Sequence, residues 1–356
     1  MASTIEIRAG KDAIGVIRDR GLTPDMVKVL AGAAGGPKWL ILGALDRWLF
    51  GEWFAGRTKP LYLLGSSIGA WRFAAASRAD PVAALERFEA EYLAQEYSEK
   101  PDAAEVSAEC RRILDAYVDG TAVAEILANP VMRPGILAVR CKGLAASDNR
   151  LVLTAGVGAA AAANLLSRGL MSWFFERVLF YHPGDPPPYL SMDAFPTERV
   201  RLDHNNLRRA LLASGSIPLV MERERNIPGA TPGTYRDGGL VDYQLDVPFL
   251  GGGKGIVLYP HFSARVTPGW FDKALRWRSA NPDNMANVVL VSPAPEFVEA
   301  LPGGKIPDRT DFREFAGRDR DRRVRWERAV SKSRQLADDF VGAVESGRIR
   351  DMVLPL

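Results

Sequence analysis

The sequence predicts an α/β fold with a mixed, mostly parallel sheet between layers of helices, and two observations lead to this prediction. First, short apolar runs at 27–32 and 60–64 look like buried strands, and each is followed by a small-residue loop and a segment with helical spacing. Strands that alternate with helices in this way usually lie parallel in one sheet. Second, no repeat or low-complexity linker divides the 356 residues. We therefore expect a single three-layer domain over 1–356.

The other elements follow from hydrophobic periodicity and from turn residues. Helical patterns lie at 38–51, 81–128, 158–180, 204–214 and 317–346. Further strands are predicted at 135–141, 150–155, 198–202, 255–259 and 287–291. We expect 135–141 and 150–155 to pair around the turn Ser147-Asp148-Asn149. The proline-rich loop at 182–188 should end the aromatic helix that precedes it.

Composition and charge argue against several classes of protein. A chain with 47% hydrophobic and 25% charged residues has the composition of a globular domain, and its net charge of +3 gives nucleic-acid binding no support. The two cysteines show no CxxC spacing, and nothing resembles a cluster of metal ligands. Charges interrupt both the N-terminal segment and the apolar stretch 151–180. We expect a cytoplasmic protein without a secretory signal, a membrane span, a metal or a cofactor.

A candidate nucleophile lies where the second predicted strand meets a helix. Ser67 is the centre of the run Gly65-Ser66-Ser67-Ile68-Gly69. A serine hydroxyl is a useful nucleophile only when it is held in the open and its proton has an acceptor. A sharp strand-to-helix turn holds it, and glycines two residues before and after the serine let the backbone make that turn. The alternative is a tight turn that merely buries its serines.

A candidate oxyanion loop lies at the end of the first predicted strand. The run from Gly32 to Lys38 has no bulky side chain before its proline, so successive main-chain N–H groups can approach one ligand oxygen. Acyl transfer needs such donors where the negative charge of the tetrahedral intermediate develops. Gly35, Gly36 and Lys38 are the candidate residues. A phosphate-cradling loop or a simple tight connection would look the same.

A candidate base lies much farther along the chain, in Tyr235-Arg236-Asp237-Gly238-Gly239. The preceding residues 226–234 are rich in glycine and proline, so we expect a loop to deliver Asp237. A carboxylate followed by Gly238 and Gly239 can accept the serine proton at close range. Such a base must be ionised yet partly desolvated, and we predict a raised pKa for Asp237. A solvated Asp-Gly turn is the alternative.

Together these segments resemble the patatin-like phospholipase family over about residues 27–260. The order is the same: a glycine-rich oxyanion loop, GxSxG, and Asp-Gly-Gly. The segment 206–218 also looks like the family's helix that ends in Ala-Ser-x-Ala/Ser-x-Pro before the aspartate. The resemblance implies a Ser67–Asp237 dyad without histidine, no cofactor, an acyl-lipid substrate and peripheral contact with a membrane surface. It also implies that the strands and helix of 255–356 pack on this core.

The chain departs from the family pattern in two places. The oxyanion motif usually reads Asp-Gly-Gly-Gly-x-Arg-Gly, whereas the stretch 33–39 here is Ala-Ala-Gly-Gly-Pro-Lys-Trp. Gly35 and Gly36 keep the two candidate donors, and we expect Trp39 to pack in the core rather than narrow the acyl channel. After Asp237, the usual Asn-x-Pro is not intact.

Two other functions remain open at this point. Ser67, Asp237 and His261 occur in the order of an α/β-hydrolase triad, although that fold usually places more strands before its nucleophile. A non-catalytic lipid-binding protein on the same fold is the second alternative. In that case the aromatic residues within 170–190, Trp173, Phe174, Phe175, Phe180 and Tyr181, can form a lipid-facing lid rather than ordinary core.

A dinucleotide-binding protein has less support. Gly156-Val157-Gly158-Ala159-Ala160-Ala161 follows a predicted strand and opens a helix, as that fingerprint requires. However, Glu176, at the expected distance for a ribose contact, falls within a predicted helix rather than at a strand end. Close helix packing explains the small residues better.

Overall fold

A computed structural model describes residues 3–192 and 194–356, and it has the predicted α/β fold. The strands are β1 (Ile5–Ala9), β2 (Val27–Gly32), β3 (Leu61–Ser66), β4 (Met132–Cys141), β5 (Phe175–Tyr181), β6 (Thr197–Arg201), β7 (Glu224–Arg225), β8 (Thr234–Asp237), β9 (Ile256–Pro260), β10 (Val288–Pro293) and β11 (Leu354–Pro355). Within the described residues these eleven strands form one sheet.

The sheet is mixed, and its centre is parallel. The main order is β11-β1-β10-β9-β2-β3-β4-β5-β6, while β8 pairs with both β4 and β7. Parallel pairs join β10 to β9, β9 to β2, β2 to β3 and β3 to β4. Antiparallel pairs join β4 to β5 and β4 to β8. The candidate nucleophile therefore follows a strand in the parallel centre of the sheet.

Helices complete the three-layer α/β arrangement. They are α1 (Ala13–Arg20), α2 (Gly43–Trp48), α3 (Ile68–Ala76), α4 (Pro81–Leu93), α5 (Ala103–Tyr117), α6 (Gly120–Ala128), α7 (Arg150–Leu166), α8 (Leu207–Gly215), α9 (Pro295–Glu299), α10 (Thr310–Glu314), α11 (Asp319–Glu345) and α12 (Ile349–Met352). One hydrophobic core cluster extends from Ile5 to Val353, so segments from both ends of the chain pack on it. Trp39 lies in this core, where its ring stacks on Phe88 with centroids 4.4 Å apart.

The predicted hairpin between 135–141 and 150–155 is wrong. Residues 150–155 form the first turns of α7, which begins after Asn149, because the Asn149 side chain accepts hydrogen bonds from the N–H groups of Leu151 and Val152. Such a cap satisfies donors that a helix start otherwise leaves unpaired. The antiparallel partner of β4 is β5 instead, with Cys141 opposite Phe175.

The predicted helix over 158–180 is right only in its first part. Helix α7 ends at Leu166, and Phe175–Tyr181 form β5, which lies between β4 and β6; Trp173 and Phe174 precede the strand. Phe175 and Phe180 are buried core residues rather than part of a lipid-facing surface, whereas Trp173, before the strand, is 71% exposed. Within the described chain, no helix combines the length and the apolar character needed to cross a membrane.

Candidate active site

Ser67 lies at a strained corner between β3 and α3. Its backbone φ of 54° and ψ of −126° are unusual for a residue with a side chain. Strain of this kind persists only where the surroundings enforce it, and it is frequent at functional sites. The corner ends the strand and starts the helix within one residue, as a nucleophile elbow requires.

Gly65 and Gly69, which flank Ser67, are required because the main chains around them approach very closely. A Cβ added to Gly65 would overlap the main chain at Ala70 in the first turn of α3, and one added to Gly69 would overlap the carbonyl oxygen of Gly32 in β2. Any larger side chain would push α3 away from the sheet. The glycine spacing read from the sequence therefore has a direct steric cause.

Asp237 lies next to Ser67 because β4 pairs with both β3 and β8. Ser66 pairs with Leu137, and the next residue of β4, Ala138, pairs with Asp237. The serine hydroxyl donates a hydrogen bond of 2.9 Å to Asp237 Oδ2 across 170 residues of sequence. Asp237 is the last residue of β8 rather than part of a loop, so a strand, more rigid than the expected loop, positions it.

The Asp237 carboxylate is buried, and burial raises its pKa above the ordinary range, as predicted. Four groups oppose this effect without cancelling it: the Arg309 guanidinium, the Gly239 N–H, the Ser67 hydroxyl and the Lys273 ammonium. Gly239 N donates to Asp237 Oδ1 at 2.7 Å, which leaves Oδ2 for the serine. Desolvation therefore makes this carboxylate a stronger base than an exposed aspartate.

The end of α8 positions both members of the pair. The Ser214 hydroxyl accepts a hydrogen bond of 2.8 Å from Ser67 N and donates one of 2.6 Å to the carbonyl of Leu137. Asp237 N donates to the Ser216 carbonyl at 3.0 Å. Because the Ser67 N–H is used by Ser214, an oxyanion at Ser67 needs donors from elsewhere.

The loop after β2 provides such donors. Ala34 N donates to the Tyr243 carbonyl at 2.8 Å and holds the loop in place, while Gly35 N and Gly36 N donate to no other described residue. Gly36 has a φ of 58°, in the left-handed region that favours glycine, and it lines the same cavity as Ser67. Lys38 lies in a neighbouring cavity with Gly35, and its ammonium is 4.7 Å from the centre of the Phe262 ring.

An apolar cavity of about 470 Å³ opens beside Ser67. Side chains of α3, α4, α5, α10 and the segment after α8 form most of its wall, among them Ile68, Trp71, Tyr92, Val106, Ile113, Ile217, Val220, Met221 and Phe312. A cavity with this lining can receive a hydrocarbon chain whose carbonyl end lies at the serine.

Arg309, beside α10, is a site residue that the sequence did not indicate. Its Nη2 lies 3.9 Å from Asp237 Oδ2, and a Cβ on Gly36 would lie 3.0 Å from its Nε. Arg309 therefore bridges the candidate base and the candidate oxyanion loop. No local motif marks it, because its position depends on how the C-terminal segment packs over the sheet.

His261 does not join Ser67 and Asp237. Its Nδ1 contacts only the main chain of Ser263, and its Nε2 is buried without a hydrogen-bond partner in the described residues. Burial lowers the pKa of His261 to about 3, so the ring is neutral at physiological pH. The triad alternative therefore lacks its base, and Ser67 follows the third strand of the chain.

The dinucleotide alternative also fails, since Gly156 to Ala161 lie in the middle of α7 rather than between a strand and a helix. In the ranges that the structure describes, no group of three or more His, Cys, Asp or Glu side chains is placed to hold a metal ion. No protein-family model matches the chain, and no curated protein matches it either.

Proposed function

We propose that this chain is a serine hydrolase of acyl lipid esters that uses a Ser67–Asp237 dyad, as in patatin-like phospholipases. The hydrogen bond of 2.9 Å between the Ser67 hydroxyl and Asp237 Oδ2, beside an apolar cavity, carries this proposal. A buried hydroxyl paired with a desolvated carboxylate is the arrangement that direct proton transfer requires. We place the protein in the cytoplasm, with peripheral contact with a membrane where its substrate is a membrane lipid.

In the acylation step, Ser67 Oγ attacks the ester carbonyl carbon while Asp237 Oδ2 takes the hydroxyl proton. The main-chain N–H groups of Gly35 and Gly36 stabilise the oxyanion, since neither donates to another of the residues that the structure describes. When the tetrahedral intermediate collapses, the C–O bond to the alcohol breaks and the alkoxide takes the proton from Asp237. The acyl chain remains in the cavity as an ester of Ser67.

Deacylation needs a water molecule beside the same base. A second cavity of about 20 Å³ lies next to Asp237 and is also lined by Tyr243, Trp270 and Arg309. This space is sufficient for about one water molecule. Asp237 then takes a proton from that water, the hydroxide attacks the acyl carbonyl, and Ser67 recovers its proton as the fatty acid leaves.

Labelling with a fluorophosphonate, followed by mass mapping of the modified residue, tests the proposal. We expect label on Ser67 in the wild type and in His261→Gln, and none at that position in Ser67→Ala. Asp237→Asn should label far more slowly than the wild type. Absence of label on Ser67 would favour the non-catalytic binding alternative. Loss of the label in His261→Gln would favour a Ser67–Asp237–His261 triad.

A further inference from the structure

A small cavity with cationic walls lies beside the candidate dyad. It has a volume of about 160 Å³, and its lining includes Lys38, Lys273, Arg309 and the main chain at Gly35. It shares Arg309 and Thr310 with the apolar cavity of Ser67. The two cavities therefore adjoin at Arg309, whose guanidinium lies 3.9 Å from Asp237 Oδ2.

The two lysines have no anionic partner within bonding distance among the described residues. Lys38 lies over the Phe262 ring, and Lys273 lies over the Tyr243 ring with 4.2 Å between Nζ and the centroid. Cation–π contacts orient an ammonium but leave its hydrogen-bond donors free. Among the residues that the structure describes, Asp308 is the one carboxylate that lines this cavity, and Lys305 and Thr310 already bond to it.

The positive charges that line this cavity repel one another, which disfavours the charged forms of the lysines. The Lys273 side chain remains accessible to solvent but is partly desolvated. This desolvation lowers the pKa of Lys273 to about 8, and the neighbouring charges of Arg309 and Lys38 act in the same direction. Desolvation also lowers the pKa of Lys38. A bound anion would relieve this repulsion, because it would favour the charged form of each lysine.

We infer that this cavity binds an anionic group, a phosphate or a carboxylate, carried on the alcohol side of the ester substrate. The inference rests on the proposed function, since it assigns the acyl chain to the apolar cavity and the leaving alcohol to the cationic one. Lys38 and Lys273 donate to the anion, and Arg309 lies between it and Asp237. Neutral glycerides are then poor substrates, and acyl esters of phosphorylated or carboxylated alcohols are preferred.

The first experiment compares hydrolysis of two soluble esters, 1-hexanoylglycerol 3-phosphate and 1-hexanoylglycerol, below their micelle concentrations. We expect kcat/KM to be about ten-fold or more higher for the phosphate ester, because charge-assisted hydrogen bonds are the stronger ones. Lys273→Met should reduce this preference at least about five-fold. The control Lys254→Met, at an exposed lysine in the loop before β9, should keep the wild-type ratio. Hydrolysis of both esters at equal, measurable rates in the wild type would overturn the inference.

The second experiment measures binding by calorimetry in the full chain carrying Ser67→Ala, so that its result does not depend on hydrolysis. Stronger binding of the phosphate ester than of the neutral ester, weakened by Lys273→Met, supports the anionic site even if the wild type hydrolyses neither ester. Equal binding of the two esters rejects the site even if both are hydrolysed. Inorganic phosphate that binds as tightly as the phosphate ester would show a site for free anions and would reject the assignment to a substrate.

Discussion

The hydroxyl of Ser214 holds the main chain of Ser67, since it accepts a hydrogen bond of 2.8 Å from the Ser67 N–H and donates one to the Leu137 carbonyl. All three groups are buried. Ser214 thus ties the strained corner to β4, the central strand that pairs with β8, on which Asp237 lies. A buried hydroxyl with both of its bonds made in this way should matter for the stability of the fold as well as for the geometry of the dyad.

We therefore expect Ser214→Ala to lower the free energy of unfolding by about 1–3 kcal/mol, because it leaves a buried N–H unpaired. Urea denaturation of the two proteins measures the difference. Ser346→Ala is a matched control, as the Ser346 hydroxyl bonds to Gly342 at an exposed helix end and its loss should change stability by less than about 0.5 kcal/mol. Equal stability of the wild type and Ser214→Ala would mean that the backbone conformation at Ser67 does not depend on the Ser214 hydroxyl.

Asp237→Asn should separate catalysis from stability. The amide keeps the shape of the carboxylate but cannot accept the serine proton, so we expect hydrolysis to fall by about 10²- to 10⁴-fold. Because burial raises the pKa of Asp237, its charge destabilises the folded state at neutral pH, and removing that charge should leave the variant at least as stable as the wild type. Thermal unfolding at pH 7 checks this result. The exposed variant Asp283→Asn should keep wild-type activity.

The parts of this site that were predictable are those with local causes. Gly65 and Gly69 are fixed by steric contacts within one strand–helix corner, so their spacing around Ser67 is visible in the sequence. The pairing with Asp237 was predicted from a resemblance, since no periodicity connects residues 170 positions apart. No sequence motif marks Arg309, because its contact with Asp237 arises only when the C-terminal segment folds over the sheet.

The predicted fold is confirmed, but the assignment of residues 150–155 failed because strand propensity and a helix cap disagreed there. The run 150–155 is rich in leucine and valine and was interpreted as a strand, but Asn149 caps the helix that begins there. Once started, α7 buries Leu153, Gly156 and Ala160 on one face, at helical spacing. The asparagine before an apolar run was the available signal, and tertiary packing decided the outcome.

Arg309 should set the acid limit of activity. Burial raises the pKa of Asp237 and the guanidinium of Arg309 lowers it, so Arg309→Gln should raise that pKa further. Hydrolysis needs the carboxylate form and falls as pH drops through this pKa. The acid limb of the kcat/KM profile should therefore move to higher pH. Arg313→Gln, in helix α10 next to Arg309 but not among the groups that shift the pKa of Asp237, should leave the limb in place; a shift in both variants would contradict a specific role for Arg309.

Two glycine substitutions should have opposite effects on stability. In Gly69→Ala the new Cβ overlaps the carbonyl oxygen of Gly32, and we expect the free energy of unfolding to fall by at least about 2 kcal/mol. In Gly158→Ala the new methyl group meets nothing within 4 Å in the middle of α7, so stability should rise by about 0.5–1 kcal/mol. Chemical denaturation of both variants tests the pair, and a tolerated Gly69→Ala would show that α3 can move away from β2.

His261 should affect the pH dependence of stability without acting in catalysis. Its pKa is lowered to about 3 by burial, whereas in the unfolded chain it returns to the ordinary value near 6.5. Between these values the unfolded state binds the proton and the folded state does not, so stability is lost as pH falls below 6.5. For this one group, the loss between pH 7 and pH 5 amounts to about 2 kcal/mol.

The variant His261→Gln isolates this contribution. Urea unfolding at pH 7 and pH 5 should show a decrease in stability that is smaller by that amount than in the wild type. Ester hydrolysis at neutral pH should persist in the folded variant, since the ring bonds to Ser263, packs on Tyr259 and Phe262, and makes no hydrogen bond to the dyad within the described residues. An unchanged pH dependence of stability would mean that His261 is charged in the fold. Loss of hydrolysis in a variant that still folds would instead assign His261 the role of base that we give to Asp237.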